Sequence, residues 1–154
     1  MATAMTATPD VVFRPATAAD AEALTALERD TNLVALAHVF PDVPYPYDEV
    51  RVRWLRLLSD PDVHIEVAGP PERLDVYLAW DDGRLRHLGV RPERWGSGLA
   101  RRAVGRANGV RRLWVLRDNE RARGFYEHLG WTPTGREQEA EWPPYPVELE
   151  YGRG

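Results

Sequence analysis

The sequence is most informative at residues 94–102, which read Arg94-Trp95-Gly96-Ser97-Gly98-Leu99-Ala100-Arg101-Arg102. An apolar run predicts a strand before them, at Leu85–Val90, and apolar residues at helical spacing predict a helix from Leu99 onward. Glycines between a strand and a helix let the backbone approach an anion, which the first N–H groups of the helix then face. The segment therefore predicts a phosphate-binding loop, although a tight turn without a ligand accounts for a Gly-x-Gly pair equally well.

Two common nucleotide-binding patterns do not fit this loop. The third glycine of a dinucleotide fingerprint would fall at Arg101, and a P-loop requires a lysine, whereas all 20 basic residues are arginine. The chain also has no cysteine, which excludes disulfides, thiolate nucleophiles and cysteine metal sites.

The composition is that of a soluble globular protein, with 154 residues of which 44% are hydrophobic and 29% charged. A net charge of −4 argues against nucleic acid or an anionic membrane surface as the main partner. The four histidines show no metal-ligand spacing, so no metal is predicted. With neither a signal-peptide pattern nor a membrane-spanning apolar run, we expect a cytoplasmic protein. Residues 1–9 are expected to be a disordered tail and residues 10–154 a single domain.

Periodicity and turn residues predict the element order β-α-α-β-β-β-α-β-α-β-β, a mixed sheet with helices on both faces. Asp82-Gly83 predicts a hairpin, and the strand at 113–116 is expected to run parallel to the one at 85–90. A further helical segment is an option at 33–40. Strands are predicted at 11–14, 63–68, 74–80, 85–90, 113–116, 131–133 and 146–151, and helices at 17–32, 48–59, 99–107 and 119–128.

Two loops, at residues 41–49 and 137–146, combine prolines with aromatic and acidic residues. Proline holds such groups in place, so that little entropy is lost when they bind a ligand. The loops are therefore expected to form the mouth of a substrate pocket. The alternative is that they are surface connectors with solvated charges.

Two longer patterns flank the predicted parallel strand. Val90-Arg91-Pro92 is followed by Trp95-Gly96-Ser97-Gly98-Leu99-Ala100, and residues 119–131 read Asn119-Glu-Arg-Ala122-Arg-Gly-Phe125-Tyr126-Glu-His-Leu-Gly130-Trp131. With the element order, these patterns resemble the GNAT family of N-acetyltransferases over nearly the whole chain. The family signatures are Val-x-Pro followed by Gln/Arg-x-x-Gly-x-Gly/Ala, and Asn-x-x-Ala-x-x-Phe-Tyr-x-x-x-Gly-Phe. Trp95 departs from the first.

The resemblance implies an α/β (α+β) fold with a mixed, mostly antiparallel twisted sheet of six or seven strands, helices on both faces and a splayed central strand pair. It implies acetyl-CoA as the cofactor, with no metal. The pyrophosphate would lie on backbone N–H groups of the glycine loop, and the pantetheine arm would lie along the end of the preceding strand. The cofactor-binding residues implied are Leu88, Gly89, Val90, Trp95, Gly96, Ser97, Gly98, Leu99, Ala100, Arg101, Asn119 and Tyr126.

The resemblance also implies that Tyr126 is the general acid that protonates the departing CoA thiolate, whereas its spacing from Ala122 alone would indicate a core aromatic. Asn119 suits a helix N-cap, and the resemblance adds a contact with the cofactor arm that is compatible with capping. Because the chain has no cysteine, direct transfer in a ternary complex is expected rather than an acetyl-cysteine intermediate.

The general base is left open by the sequence. Related proteins often place Glu or His four or six residues before the valine of Val-x-Pro, but here those positions hold Arg86 and Arg84. His87 lies one residue away from that face, where packing or surface exposure is expected. Glu66 on the neighbouring strand is the candidate catalytic base, with a solvent-exposed charge as its alternative. A chain of water molecules would need no side-chain base.

The expected acceptor is a primary amine of a small molecule or peptide, because the acidic loops would attract a cation. Arg84 and Arg86 would instead suit an acceptor that also carries a carboxylate or phosphate. A homodimer is possible, since dimers are common among similar proteins. The expected substrate-binding residues are Tyr45, Tyr47, Asp48, Arg86 and Trp142.

Two other functions compete with this one. A non-catalytic acyl-CoA-binding or regulatory module on the same fold would explain the missing base. A toxin that acetylates aminoacyl-tRNA would need a basic face, which the acidic composition does not favour.

Overall fold

The computed structural model describes residues 11–154, so the predicted tail at residues 1–9 lies outside the described residues. Seven strands form one sheet in the order β1-β2-β3-β4-β5-β7-β6. Short 3₁₀ turns lie at Ala18–Asp20 and Pro92–Arg94. The elements are β1 (Arg14–Pro15), α1 (Ala21–Ala35), α2 (Tyr47–Leu58), β2 (His64–Ala68), β3 (Val76–Trp80), β4 (Arg84–Val90), α3 (Leu99–Arg106), β5 (Arg112–Leu116), α4 (Glu120–His128), β6 (Thr132–Glu139) and β7 (Val147–Gly152).

Helices cover both faces of the sheet, as the sequence predicted. The first face carries α1 and α2, whose buried Leu24, Leu27 and Trp54 belong to one apolar cluster with side chains of β2 and β3. The second face carries α3 and α4, whose buried Ala103 and Tyr126 belong to a second cluster with side chains of β4, β5 and β7. The sheet therefore separates two cores, and β4 and β5 lie at its centre.

The central strands β4 and β5 are parallel but pair at only two positions, Arg84 with Arg112 and Leu85 with Leu113. All other neighbouring strands are antiparallel. Beyond the two paired positions, β4 continues to Val90 and β5 to Leu116 without a ladder between them. This confirms the predicted mixed sheet and its splayed central pair.

Arg86 is an extra residue in β4, because its neighbours Leu85 and His87 face consecutive residues of β3. A bulge of this kind exchanges the faces of the side chains before and after it. Leu85 consequently joins the core beneath α3, whereas the ring of His87 lies 5.3 Å from that of Trp54 on the opposite face.

Three predictions for residues 11–42 were wrong. The first strand was expected at 11–14, but only Arg14–Pro15 pairs, and Val11 is held instead by a 2.9 Å hydrogen bond from Arg102 to its carbonyl. The first helix continues past its predicted end to Ala35, and residues 36–42 form turns rather than a second helical segment.

The second proline-rich loop is shorter than predicted. β6 extends to Glu139, because Glu137–Glu139 pair with β7 after an irregularity that follows Pro133. The loop therefore spans residues 140–146 rather than 137–146. In residues 11–154, no helix combines the length and apolarity that crossing a bilayer requires.

Gly89 tests the close contact between β3 and β4. The phenol ring of Tyr77 lies across Gly89 so closely that a Cβ there would overlap it, whereas a Cβ on Gly105 of α3 would meet open space. We expect Gly89→Ala to lower the free energy of unfolding by about 1–3 kcal/mol through overpacking. Gly105→Ala should raise it by about 0.5–1 kcal/mol. Urea unfolding of both variants measures this, and a Gly89→Ala protein as stable as wild type would contradict the contact.

Candidate functional site

The glycine loop is anchored at its start by a buried arginine that sequence reasoning missed. Arg91 donates to the carbonyl of Leu74 and forms a 3.6 Å ion pair with Asp75. Asp75 also pairs with Arg94 at 3.3 Å, and its carbonyl accepts the Arg91 N–H at 2.8 Å. An arginine in the variable position of Val-x-Pro carries no sign of burial, so the sequence offered no signal for this anchor.

The loop itself presents alternate N–H groups outward. Gly96 and Gly98 have φ of 81° and 85°, in the region that favours glycine. The N–H groups of Trp95, Ser97 and Leu99 are used inside the turn. Within residues 11–154 no acceptor meets the N–H groups of Gly96, Gly98, Ala100 and Arg101. Such a set of free N–H groups at a helix start suits an anion.

Trp95, which departs from the family signature, ties the loop to β4. Its indole N–H donates to the carbonyl of Val90 at 2.8 Å, and the guanidinium of Arg121 lies 3.9 Å from its ring centroid. The carbonyl of Val90 is therefore already occupied. Trp95, which stands where the family signature has Gln or Arg, therefore fixes the loop through its indole N–H. Its ring also packs against the guanidinium of Arg121 on α4.

A cavity of about 680 Å³, called here the loop-side cavity, lies between the glycine loop, the end of β4 and α4. Ser97 is the one predicted cofactor-binding residue that does not line it. The structure thus brings together nearly all of them. Those that line it are Leu88, Gly89, Val90, Trp95, Gly96, Gly98, Leu99, Ala100, Arg101, Asn119 and Tyr126.

A second cavity of about 660 Å³, the central cleft, opens along the diverging parts of β4 and β5. Leu88, Asn119 and Tyr126 line both it and the loop-side cavity, so the two spaces meet through the gap between the strands. Asn119 also caps α4 by accepting the Ala122 N–H at 3.1 Å. Asn119 therefore both caps the helix and lines the two cavities.

Tyr126 is buried, with 8% of its surface exposed, and its ring packs edge-on against Phe125 and Trp131. Burial raises the pKa of its hydroxyl well above the ordinary value. The phenol therefore stays protonated at neutral pH and can donate a proton into either cavity.

The arginines at the expected base positions are both paired with carboxylates. Arg84 forms a 3.0 Å ion pair with buried Glu150, and Arg86 forms one of the same length with Asp81. Glu150 is shared, because Arg136 also pairs with it at 3.5 Å, and the buried Nη1 of Arg84 has no hydrogen-bond partner among the described residues.

His87 lines the central cleft beside Trp54. Burial lowers its pKa well below the ordinary value, and the charges of Arg53 and Arg86 lower it further. The imidazole is therefore neutral at pH 7.

Glu66 does not reach the cleft. It lies on the α3 side of the sheet, where its carboxylate pairs with Arg106. Tyr126 lines both the loop-side cavity and the central cleft, whereas Glu66 lines neither.

A third cavity of about 590 Å³, the side pocket, lies between the end of α1, residues 36–46 and the loop at 140–146. Two of the predicted substrate-binding residues, Tyr45 and Trp142, line it. Tyr47 instead donates to Glu22 of α1 at 2.5 Å. Asp48 lines a small groove of about 330 Å³ on the outer side of α2, which Trp142 also borders.

Sequence reasoning missed two carboxylates of the cleft. Glu28 of α1 is buried and accepts hydrogen bonds from Arg53 and from the indole of Trp54 at 2.9 Å. Its spacing of four residues from Leu24 was the available signal, since it places the side chain on the buried face. Glu148 of β7 lines the cleft and accepts a 2.8 Å hydrogen bond from Gln138.

Burial raises the pKa of Glu148 above its ordinary value and outweighs the opposing effect of the Gln138 hydrogen bond. A raised pKa makes this carboxylate a stronger base than a solvated one. In the described part of the chain, no three His, Asp or Glu side chains converge as a metal ion would require.

Comparisons with known proteins agree with this geometry. The family model described as Acetyltransferase (GNAT) family matches residues 5–131. A comparison with curated protein sequences finds no match.

The fold is similar to that of several solved structures, and at their low sequence identities the likeness shows the fold alone. An acetyltransferase from Thermus thermophilus is 23% identical with a TM-score of 0.67, covering 93% of this chain and 96% of that one. Apo YjaB from Escherichia coli is 21% identical with a TM-score of 0.72, covering 93% and 97%. PaiA N-acetyltransferase from Thermoplasma acidophilum, in complex with coenzyme A, is 17% identical with a TM-score of 0.68, covering 94% and 99%.

Glu150 tests whether ion pairs hold the floor of the cleft. Burial raises its pKa, but hydrogen bonds from Arg84 and Thr134 outweigh burial, so the pKa lies below its ordinary value. A carboxylate with a lowered native pKa stabilises the fold above its unfolded pKa, and this stability is lost as pH falls through the native value. Glu150→Gln should therefore lower Tm at neutral pH, and the gap from wild type should shrink below about pH 4.5.

Thermal unfolding of wild type and Glu150→Gln over this pH range measures the gap. Glu72→Gln, at an exposed turn position, is the matched control and should leave Tm unchanged at neutral pH. A gap that stays constant or widens in acid would contradict the assignment.

Proposed function

The chain belongs to the GNAT family of acetyltransferases, and on that premise we propose that it transfers an acetyl group from acetyl-CoA directly to a primary amine of a small molecule or peptide. The observation that carries this proposal is the gap between β4 and β5. Through it, the loop-side cavity and the central cleft meet beside Tyr126. A donor on one side and an acceptor on the other would be held in line, which is a large part of catalysis.

The residues of the loop-side cavity fit acetyl-CoA. The free N–H groups of Gly96, Gly98 and Ala100 and the guanidinium of Arg121 suit its phosphates. The unpaired edge of β4 at Leu88 and Gly89 suits the amide groups of its pantetheine arm. When bound, acetyl-CoA supplies a thioester, whose acetyl carbon forms a bond to the amine nitrogen while its C–S bond breaks.

Two side chains handle the protons of this reaction. Tyr126, kept protonated by burial, donates its hydroxyl proton to the departing sulfur. Glu148, whose pKa is raised, takes a proton from the amine directly or through water. Proton exchange with water in the cleft then restores both groups. Glu66 has no part in this proposal, because it pairs with Arg106 away from the cleft.

The central cleft and the side pocket are proposed to hold the acceptor, with Tyr45 and Trp142 in its wall. The cytoplasmic location and the homodimer stay predictions.

Tyr126→Phe tests the general acid. It removes one hydroxyl from a buried ring, so we expect kcat to fall about 100-fold while KM for acetyl-CoA stays within about twofold. Release of CoA thiol with a panel of amines measures the rate. Tyr151→Phe is the matched control, because its hydroxyl contacts Arg123 and Glu127 outside the cavities, and it should keep the wild-type kcat.

An undiminished Tyr126→Phe rate at every pH would remove Tyr126 as the acid. Tight acetyl-CoA binding by wild type without turnover of any amine would favour the alternative, a non-catalytic acyl-CoA-binding module.

Glu148→Gln tests the proton acceptor. The side chain must be ionised to act, so wild-type kcat/KM should fall as pH drops through its raised pKa, and the variant should lack this limb. At neutral pH kcat should fall about 100-fold, and the deficit should shrink as pH approaches the amine pKa of about 10. Glu137→Gln on the exposed strand β6 is the control. A wild-type pH profile for Glu148→Gln would contradict this role.

A further inference from the structure

The side pocket has walls that are mostly apolar. They come from the end of α1, the turns after it and the loop at 140–146, and several of the side chains leave much of their surface exposed. A cavity of about 590 Å³ is of the size that holds a small organic ligand, and uncovered apolar surface of this kind marks a binding site. The apolar side chains include Leu33, Leu36, Phe40, Val43, Trp142 and Tyr145.

The charged side chains that line the side pocket are all carboxylates, namely Glu28, Glu49 and Glu141. None of the arginines in residues 11–154 lines it, although the chain contains 20 basic residues. In the adjoining cleft, Arg86 is paired with Asp81, whereas Arg84 shares Glu150 with Arg136 and its buried Nη1 has no partner among the described residues. Glu28 is balanced by its ion pair with Arg53, so the net negative charge of the pocket comes from Glu49 and Glu141. This charge favours a cation and disfavours an acceptor with its own carboxylate or phosphate.

Glu28 lies where the side pocket opens into the central cleft, since it lines both. Its Oε1 accepts the bonds from Arg53 and Trp54, while Oε2 receives no hydrogen bond from the residues that the structure describes. Arg53 and Trp54 thus fix the carboxylate and leave one oxygen for a ligand N–H donor.

Asn32 follows Glu28 by one turn of α1 and lines all three cavities. An ammonium group at Glu28 Oε2 would therefore lie one helical turn from the place where donor and acceptor spaces meet. An amine held at Glu28 would therefore be close to the donor before the acetyl transfer.

We propose that the side pocket selects a primary amine carried on an apolar body, as in arylalkylamines, and that Glu28 binds its ammonium group at the junction with the central cleft. The proposal rests on the acetyltransferase function proposed above and names its acceptor class. Glu28 is an acceptor-positioning residue, distinct from Glu148 and Tyr126, which move protons.

Two other amine classes fit less well. An amino acid would place its carboxylate near Glu28 with no unpaired arginine lining the pocket to receive it. A linear polyamine could pair its additional cations with Glu49 or Glu141, but it would leave the apolar walls of the pocket uncovered.

The first experiment compares kcat/KM for 2-phenylethylamine, L-phenylalanine and spermidine. The first two differ only by a carboxylate, and the third lacks an apolar body. We expect 2-phenylethylamine to be preferred at least about tenfold over both, the scale of discrimination expected from such pocket contacts. Equal or better use of L-phenylalanine or spermidine would overturn the proposal.

The second experiment alters the pocket. Ala37 lines it in an exposed turn, so Ala37→Trp should fill space without disturbing the core. It should lower the ratio of kcat/KM for 2-phenylethylamine over ethylamine about tenfold.

Glu28→Gln should raise KM for 2-phenylethylamine about tenfold, with Glu72→Gln as the control. Glu28→Gln leaves buried Arg53 without its charge partner and could unfold the protein. In that case Ala37→Trp alone decides the test. An unchanged kcat/KM ratio of 2-phenylethylamine over ethylamine in Ala37→Trp would contradict the pocket assignment.

Calorimetric titration of 2-phenylethylamine into the protein with CoA present separates the two proposals. If no amine is acetylated, the proposed function fails, yet binding that Ala37→Trp weakens would still support the side pocket. If amines are acetylated but spermidine or L-phenylalanine is preferred, the function stands and the acceptor class is wrong. Absence of 2-phenylethylamine binding would likewise overturn the acceptor class.

Discussion

The structure depends on the short ladder between β4 and β5. Backbone N–H and C=O groups need partners, and two paired positions leave the rest of both strands to find them elsewhere. The indole of Trp95 takes the carbonyl of Val90, and the remaining edge of β4 faces a cavity. The glycine loop, α1 and α4 all border this gap. An interruption that would weaken an ordinary sheet is thus the feature around which the cavities form.

Buried charge pairs hold the walls of those cavities. One anchors the glycine loop, one lies at the cleft floor and one stands behind the side pocket. Replacing such pairs with apolar residues often costs no stability, so their value lies more in fixing the position of a side chain. In each pair, the arginine fixes a carboxylate close to a cavity, and Arg91 also donates to a backbone carbonyl. The pairs are Arg91–Asp75, Arg84–Glu150 and Arg53–Glu28.

Sequence patterns predicted the fold closely and the site unevenly. The glycine loop and the Asn119–Trp131 motif depend on local backbone geometry, so their residues could be assigned directly, and nearly all of them line one cavity. The bulge at Arg86 has no comparable signature. The positions at which related proteins often place a base hold Arg86 and Arg84, which are not bases, and the bulge turns His87 instead toward Trp54.

Contacts between distant segments could not be predicted from the sequence, because they depend on tertiary packing. Glu66 and Glu148 are both strand carboxylates, but Glu66 pairs with Arg106 of α3, whereas Glu148 is half-buried and lines the cleft. Only tertiary packing distinguishes them. Tertiary packing likewise brings the three cavities together at Asn32. A single compound that joins an arylalkylamine to the sulfur of CoA could occupy both sides of the gap at once. Its second half would bind at an effective concentration on the order of millimolar, which makes such bisubstrate compounds promising inhibitors.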